Sequence, residues 1–264
     1  MSFVPGLTAG QPSGTATTDP IVRWVHEFIP LLSALPRDDS LRGNKLRRGV
    51  GLVFPTKFAL ANTSISPSRL FSGRWVPCTN VVRYTLPTDT TTVLIHTDGA
   101  CLGNGQANPR AGWAFWHASS STGDPLTADG RLERKGPFGD DSLQTNNRAE
   151  LRAVIAALRY RNWPGEGIRT LVIATDSAYV VEGATTWARG WIQNGWMTQA
   201  GPVLNRDLWE TLLGEVERFF VRGMTIKFWR IPRAWNAVAD AAAKAAAQRD
   251  DDALEEWADK FGFM

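Results

Sequence analysis

The sequence predicts an α/β fold in which a mixed β-sheet carries helices on its faces. Three observations predict it. Two apolar runs of strand length, residues 93–98 and 171–176, both end in an aspartate. Between them lies a stretch with apolar residues at helical spacing. From residue 91 onward the periodic segments run in the order β, β, β, α, β, α, α, β, α.

Taken along the chain, residues 1–20 are rich in Gly, Pro, Ser and Thr, a composition that predicts disorder. Ile21, Val25, Phe28 and Leu32 then recur at helical spacing, with Pro30 set to bend or end that helix. From 36 to 90 the pattern weakens to a basic stretch, "RGNKLRRG", and a short apolar "VGLVF", which predict only a poorly defined strand-and-helix appendage. "TTVLIHTD" (91–98) and "AGWAFWHA" (111–118) read as strands joined by the Gly, Asn and Pro signals of 103–109, with a third strand near 130–136. In "TNNRAELRAVIAALRY", Leu151, Val154, Ile155 and Leu158 make the apolar stripe of a helix capped by Thr145 or Asn146. "RTLVIATDS" reads as a buried strand. Helical segments follow over 177–191 and 206–222, then a strand "MTIKFWRI" and an Ala-rich helix over 236–248.

Composition narrows the class. The 43% hydrophobic content suffices for a sizeable core in the 264 residues. Charge divides the chain into an N-terminal extension (1–90, net +5), a central domain (91–249, net +3) and an acidic tail (250–264, net −5) that reads as a solvated face, with a short helix at its end. A basic body suits a polyanionic partner. Twelve tryptophans are unusual, and several in "TTWARGWIQNGW" stand beside Gly and Arg, where stacking platforms and core packing both fit. Cys78 and Cys101 are the only cysteines, with three histidines, which argues against a structural zinc site and suits a reducing compartment. The first 20 residues lack a basic n-region and an apolar stretch, and no run is long enough to span a bilayer. A soluble intracellular protein, nuclear or cytoplasmic and without membrane association, is expected.

The two strand-end aspartates carry the chemistry. A carboxylate at the end of a core strand is costly unless a cation or hydrogen-bond donors neutralise it, so Asp98 needs a partner. In α/β sheets, ligands bind at the carboxyl ends of strands, and neighbouring strands would set Asp98 against Asp176. Glu150 sits in the first turn of its helix, and Asp240 lies on the last helix among alanines that permit close approach. Singly, each reads as a solvated, capping or dipole-favoured acid. Together, four such acids repel unless divalent cations sit among them, and oxygen ligands without Cys or His favour Mg²⁺ or Mn²⁺.

"TDGACLGN", "TNNRAEL", "ATDSAYVV" and "NAVADAAAKAA", with "GWMTQAGPVLNRDLWE" before the last, resemble type 1 ribonuclease H in order and spacing over residues 91–249. The resemblance implies a ribonuclease H-like fold, a five-stranded mixed sheet of order 32145 flanked by helices. It implies endonucleolytic hydrolysis of the RNA strand of RNA/DNA hybrids, leaving 5′-phosphate and 3′-hydroxyl ends. Asp98, Glu150, Asp176 and Asp240 become the ligands of two Mg²⁺ ions, with Mn²⁺ as a substitute. Asn104, Asn146 and Asn147 resemble minor-groove contacts, Thr145 a contact to a phosphate of the DNA strand, and Trp187 and Trp191 aromatic positions lining the DNA channel. Ser177, Arg233 and Asn236 complete the substrate-binding set.

Two departures stand out. "FWRIPRAWNAVAD" is shorter than the family's glycine-rich loop and has no His, leaving Arg233 as the nearby cation. "GWIQNGWMTQAG" lacks the basic cluster of the family's handle, so hybrid affinity is expected from Arg42, Lys45, Arg47 and Arg48. A DEDD-type exonuclease would carry a second acid one residue from Asp98, and an integrase would place Glu at position 211, which is Thr with Glu210 and Glu215 nearby; Glu150 between the two aspartates fits ribonuclease H better than either. The competing class is a weakly active or non-catalytic hybrid- or RNA-binding module derived from the enzyme. Docking of a protein partner through residues 1–90 is compatible with either.

Overall fold

The computed structural model describes residues 45–250 and 254–262. The expected disorder of 1–20, the helix over 21–32 and Arg42 lie outside the described residues. In chain order the strands are β1 (Thr56–Lys57), β2 (Ser72–Val76), β3 (Val81–Leu86), β4 (Asp89–Leu102), β5 (Arg110–Ser119), β6 (Pro125–Arg131), β7 (Thr170–Thr175), β8 (Met197–Thr198), β9 (Gly201–Pro202) and β10 (Thr225–Arg230). The α-helices are α1 (Pro67–Leu70), α2 (Asn146–Arg159), α3 (Ala178–Glu182), α4 (Ala188–Gln193), α5 (Arg206–Val221) and α6 (Ala237–Gln248), with a π-turn at Gly183–Trp187 between α3 and α4.

The long strand β4 is the centre of the sheet. It pairs antiparallel with β5 and parallel with β7; β6 lies beyond β5 and β10 beyond β7. Read as β6-β5-β4-β7-β10, these strands give the expected 32145 order. The third strand lies at 125–131, earlier than its expected place; the Leu132 N–H still donates to the Ala111 carbonyl at 2.9 Å, its side chain is 1% exposed in the core, and the strand ends there.

The segment before β4 is more ordered than the sequence suggests. β3 pairs with both β4 (Thr85↔Val93) and β5 (Val82↔Ser119), β2 pairs with β3, and β1 pairs with β10. Unpaired strand edges are energetically exposed, and β1 covers part of the β10 edge while β6 remains an edge of the sheet. Ahead of β1, residues 47–52 lie across α5. The Gly49 N–H donates to the Glu210 carbonyl at 2.7 Å, and a Cβ on Gly49 would stand 2.3 Å from the Gly214 nitrogen. The Arg47 guanidinium is bound by Glu217 and that of Arg48 by Glu210, so Arg47 and Arg48 are ion-paired within the fold instead of standing free as the expected source of hybrid affinity.

Successive residues of a strand face opposite sides of the sheet. Val93 and Ile95 of β4 face the main core, where the apolar stripe of α2 and the face of α5 close over Trp113, Trp163 and Trp209. On the other side, Leu94, Val172, Ala174 and Trp229 are covered by Phe58 and Phe71, and Ala100 and Ala114 by Ala243 and Ala247 of α6. Small residues are required there: a Cβ on Gly112 would lie 2.4 Å from the Ala247 nitrogen.

The described part of the tail, 254–262, contains no helix and is docked. Arg134 N–H donates to the Leu254 carbonyl at 2.9 Å, Arg152 to the Ala258 carbonyl at 2.6 Å, and Arg159 pairs with Asp259 at 2.7 Å. The expectation of a solvated face holds for Glu255 and Glu256, which are 60% and 69% exposed, and is corrected for Asp259 and the Ala258 carbonyl, which buried arginines of α2 take as acceptors. No helix among the described residues is long and apolar enough to cross a membrane.

Candidate active site

Strand register brings the first two acids together. β4 and β7 pair in parallel with His96 opposite Ala174, so Asp98 and Asp176, each two residues further on, fall side by side: Asp98 stays within β4, opposite Ala114 of β5, while Asp176 follows the end of β7. Glu150 reaches them because β4 carries glycine at position 99. A Cβ there would lie 2.1 Å from the Glu150 nitrogen, so only glycine lets the strand approach the first turn of α2 this closely. Thr145 Oγ1 accepts from the Arg148 N–H at 3.3 Å and starts that turn.

One oxygen from each of Asp98, Glu150 and Asp176 falls within 4.8 Å of the others. Asp98 and Glu150 are 1% and 5% exposed, and Asp98 Oδ2 and Glu150 Oε2 have no hydrogen-bond partner. Burial, then the charge of Asp176, pushes the Asp98 carboxyl up to about 8; burial, then Asp98 and Asp176, holds Glu150 well above the usual range. Buried orphan oxygens in an all-oxygen donor set fit a hard divalent cation.

Asp240, in the first turn of α6, stands beside this trio. It is bound by Arg233 and by Lys244 at 2.7 Å, while Arg233 also reaches Asp176 at 3.4 Å. Asn236 is 1% exposed, and its side-chain amide points inward, donating to the Thr97 carbonyl at 3.0 Å, Asp98 Oδ1 at 3.4 Å and Asp176 Oδ1 at 3.1 Å. Its Oδ1 faces Nδ1 of His96 at 3.3 Å, and burial pushes that histidine down to about 4, so it is neutral.

The remaining residues fall into two groups. Asn104, Thr145, Asn146 and Asn147 line one groove of about 510 Å³, with Asn104 Oδ1 accepting from the Asn146 N–H at 3.1 Å. Ser177 Oγ accepts from the Val180 N–H at 3.3 Å and caps α3. Trp187 is 41% exposed, whereas Trp191 is partly buried and packs on Trp209 with ring centroids 5.3 Å apart. The two indoles touch each other at 5.8 Å, so one unites the surface with the core. Sequence reasoning missed Gly99, His96 and Asn205. Asn205 lines the same groove and adopts φ +57°, a conformation asparagine tolerates, and its place just before an amphipathic helix was the available signal.

The family model for RNase H matches residues 90–248. A ribonuclease H of Xanthomonas oryzae pv. oryzae is 38% identical over 164 residues, covering 59% of this chain and 93% of that protein. Ribonuclease H1 of Homo sapiens is 34% identical over 166 residues, covering 61% of this chain and 51% of that one. Among solved structures, LC9-RNase H1 is 31% identical with a TM-score of 0.41, covering 59% of this chain and 72% of that one.

Proposed function

The chain belongs to the type 1 ribonuclease H family, and from that premise we propose that it cleaves the RNA strand of RNA/DNA hybrids with two Mg²⁺ ions, leaving 5′-phosphate and 3′-hydroxyl ends. The observation that carries this reading is the trio Asp98, Glu150 and Asp176, the first two buried and the third half-buried, mutually repelling and with two oxygens unbonded. These three and Asp240 would hold the cations, and Mn²⁺ meets the same oxygen chemistry. When bound, such ions supply Lewis-acid activation of water and charge stabilisation at the departing oxygen.

The chain's own residues do the rest. Asn236 holds Asp98 and Asp176 from behind with one amide, which fixes both carboxylates and leaves Asp98 Oδ2 free. Arg233 is 62% exposed and lies against Asp176 and Asp240, so it presents a cation beside the acids for the scissile phosphate. An arginine does not titrate near neutral pH, so it binds charge there and moves no proton. The amides of Asn104, Asn146 and Asn147 donate and accept, as recognition of 2′-hydroxyls requires. The exposed face of Trp187 offers a stacking surface to the deoxyribose strand.

The test is cleavage of a labelled RNA/DNA hybrid in Mg²⁺ or Mn²⁺ beside single- and double-stranded RNA, with Asp98→Asn and Asp176→Asn. Hybrid-only cleavage lost in both variants is expected. Hybrid binding without cleavage in either metal would replace this reading with that of a binding module.

A further inference from the structure

Two leucines stand out against the rest of the surface. Among the described residues Leu143 and Leu204 are the most exposed large apolar side chains, at 80% and 78%, and both line the groove that holds Asn104, Asn146 and Asn147. They come from different segments of the chain, one just ahead of α2 and the other just ahead of α5. A single exposed leucine is ordinary, whereas two at one groove point to a contact.

The backbone that carries them is held in place. Beside Leu143, the Ser142 N–H donates to the Arg134 carbonyl at 2.9 Å, and the Gln144 side-chain amide donates to the Leu132 and Glu133 carbonyls at 3.2 and 3.1 Å. Beside Leu204, the Val203 N–H donates to the Trp196 carbonyl at 2.9 Å, and the Tyr179 hydroxyl donates to the Leu204 carbonyl itself at 3.3 Å. Pinned main chain thus presents both apolar side chains outward.

Charge narrows what they meet. Arg148 is the one cation among the described residues that line the groove, and both of its terminal nitrogens are taken by Asp207, at 2.9 and 2.5 Å. Asp141 adds a second carboxylate, so no free cation in the lining draws a phosphate. Amide and aliphatic surface remain, and these suit the sugar edges of a duplex. Amides match hydroxyls, and leucine matches a bare methylene. In an RNA/DNA hybrid one strand offers 2′-hydroxyls and the other offers methylenes at the same carbon.

We propose that Leu143 and Leu204 read the DNA strand of the hybrid, packing against its deoxyriboses while the amides of the same groove take the hydroxyls of the RNA strand. Against a second RNA strand the leucines would bury hydroxyls without a partner, which is costly. Selectivity for hybrid over double-stranded RNA then rests on apolar contact as well as on hydrogen bonding. This inference rests on the ribonuclease reading and names a further part of its specificity.

The full chain in chelator, which withholds the cations that cleavage needs, is titrated into a labelled RNA/DNA hybrid and into a double-stranded RNA of the same sequence at one salt concentration. The two affinities are compared as a ratio, in which any cost of the metal-free acids is common to both duplexes. The unmodified protein is expected to prefer the hybrid. In the double variant Leu143→Asn with Leu204→Asn, which keeps similar bulk and makes it polar, the preference is expected to fall about tenfold, the worth of one buried hydroxyl left without a partner. The double variant Leu143→Met with Leu204→Met stays apolar and is expected to keep it. Both side chains are largely exposed, so neither exchange disturbs the core. A preference unchanged in the Asn variant, or lowered as far in the Met variant, would overturn the proposal alone. No preference for hybrid in the unmodified protein would overturn the ribonuclease reading and the proposal with it.

Discussion

Asp98 and Glu217 are both buried carboxylates, 1% and 0% exposed, yet their surroundings are opposite. Glu217 accepts from the N–H groups of Val50, Gly51 and Leu52 at 2.9, 2.8 and 3.2 Å and is paired with Arg47. Glu215 lies between Arg159 and Arg218, and Glu133 takes two nitrogens of Arg152. Asp98 meets one amide of Asn236 and otherwise faces Asp176, Glu150 and the charge of Asp240. The difference teaches that burial does not mark a site in this molecule. A buried acid whose neighbours are more acids does.

The contrast can be broken from either end. The largest effect is expected from Gly99→Ala, whose Cβ would force β4 away from Glu150 and dissolve the acidic trio. Hybrid cleavage should fall at least about a hundredfold in single-turnover assays, as misplacement of reacting groups by about 1 Å commonly does. Glu217→Gln attacks the paired class instead. It leaves Arg47 and three N–H groups facing a neutral amide, and urea unfolding should show a loss of about 3 kcal/mol, with cleavage intact below the melting transition.

A pH series sharpens the same comparison. Asp98 is raised from an ordinary 3.8 to about 8, so across that window the folded state keeps a proton that the unfolded chain releases. Its contribution is fully present below the lower value and is lost as pH rises through the upper one. In chelator, stability should therefore decline between about pH 4 and about pH 8, and Asp98→Asn should flatten the decline. Glu150 is shifted in the same direction. The smallest effect belongs to a residue outside both classes: Thr145→Ala removes the cap of α2 and should cost about 1 kcal/mol in the same unfolding assay.

Much of the fold and the site is legible in the amino-acid sequence, for physical reasons that differ from element to element. Helix α2 is readable because its apolar stripe repeats locally, and the acids because two apolar runs each lead to an aspartate, although β4 continues past Asp98 to Leu102. The 32145 order comes with the family resemblance, since strand order is a property of distant pairings. What stays hidden is also non-local. β3 contributes alternating residues that look like any short strand, and only its pairing with β4 and β5 reveals why residues 81–86 belong to the sheet. Arg47 reads as a free cation until Glu217, 170 residues away, is seen facing it. Asn236 reads as a substrate contact by position, yet the structure turns its amide onto Asp98 and Asp176. The tail reads as solvated because its charges are dense, and Arg159 and Arg152 draw it down.

The central claim is that the unpaired carboxylates are a seat for divalent cations. It is tested most directly by thermal unfolding of the full chain with and without Mg²⁺, at about pH 6 and about pH 8, beside Asp98→Asn. A ligand that binds only the folded state raises Tm, and a carboxylate must lose its proton to bind a cation. The account predicts that Mg²⁺ raises Tm of the unmodified protein, more at the higher pH, and leaves Asp98→Asn unmoved. A rise of equal size in both proteins, or none in either, would contradict it.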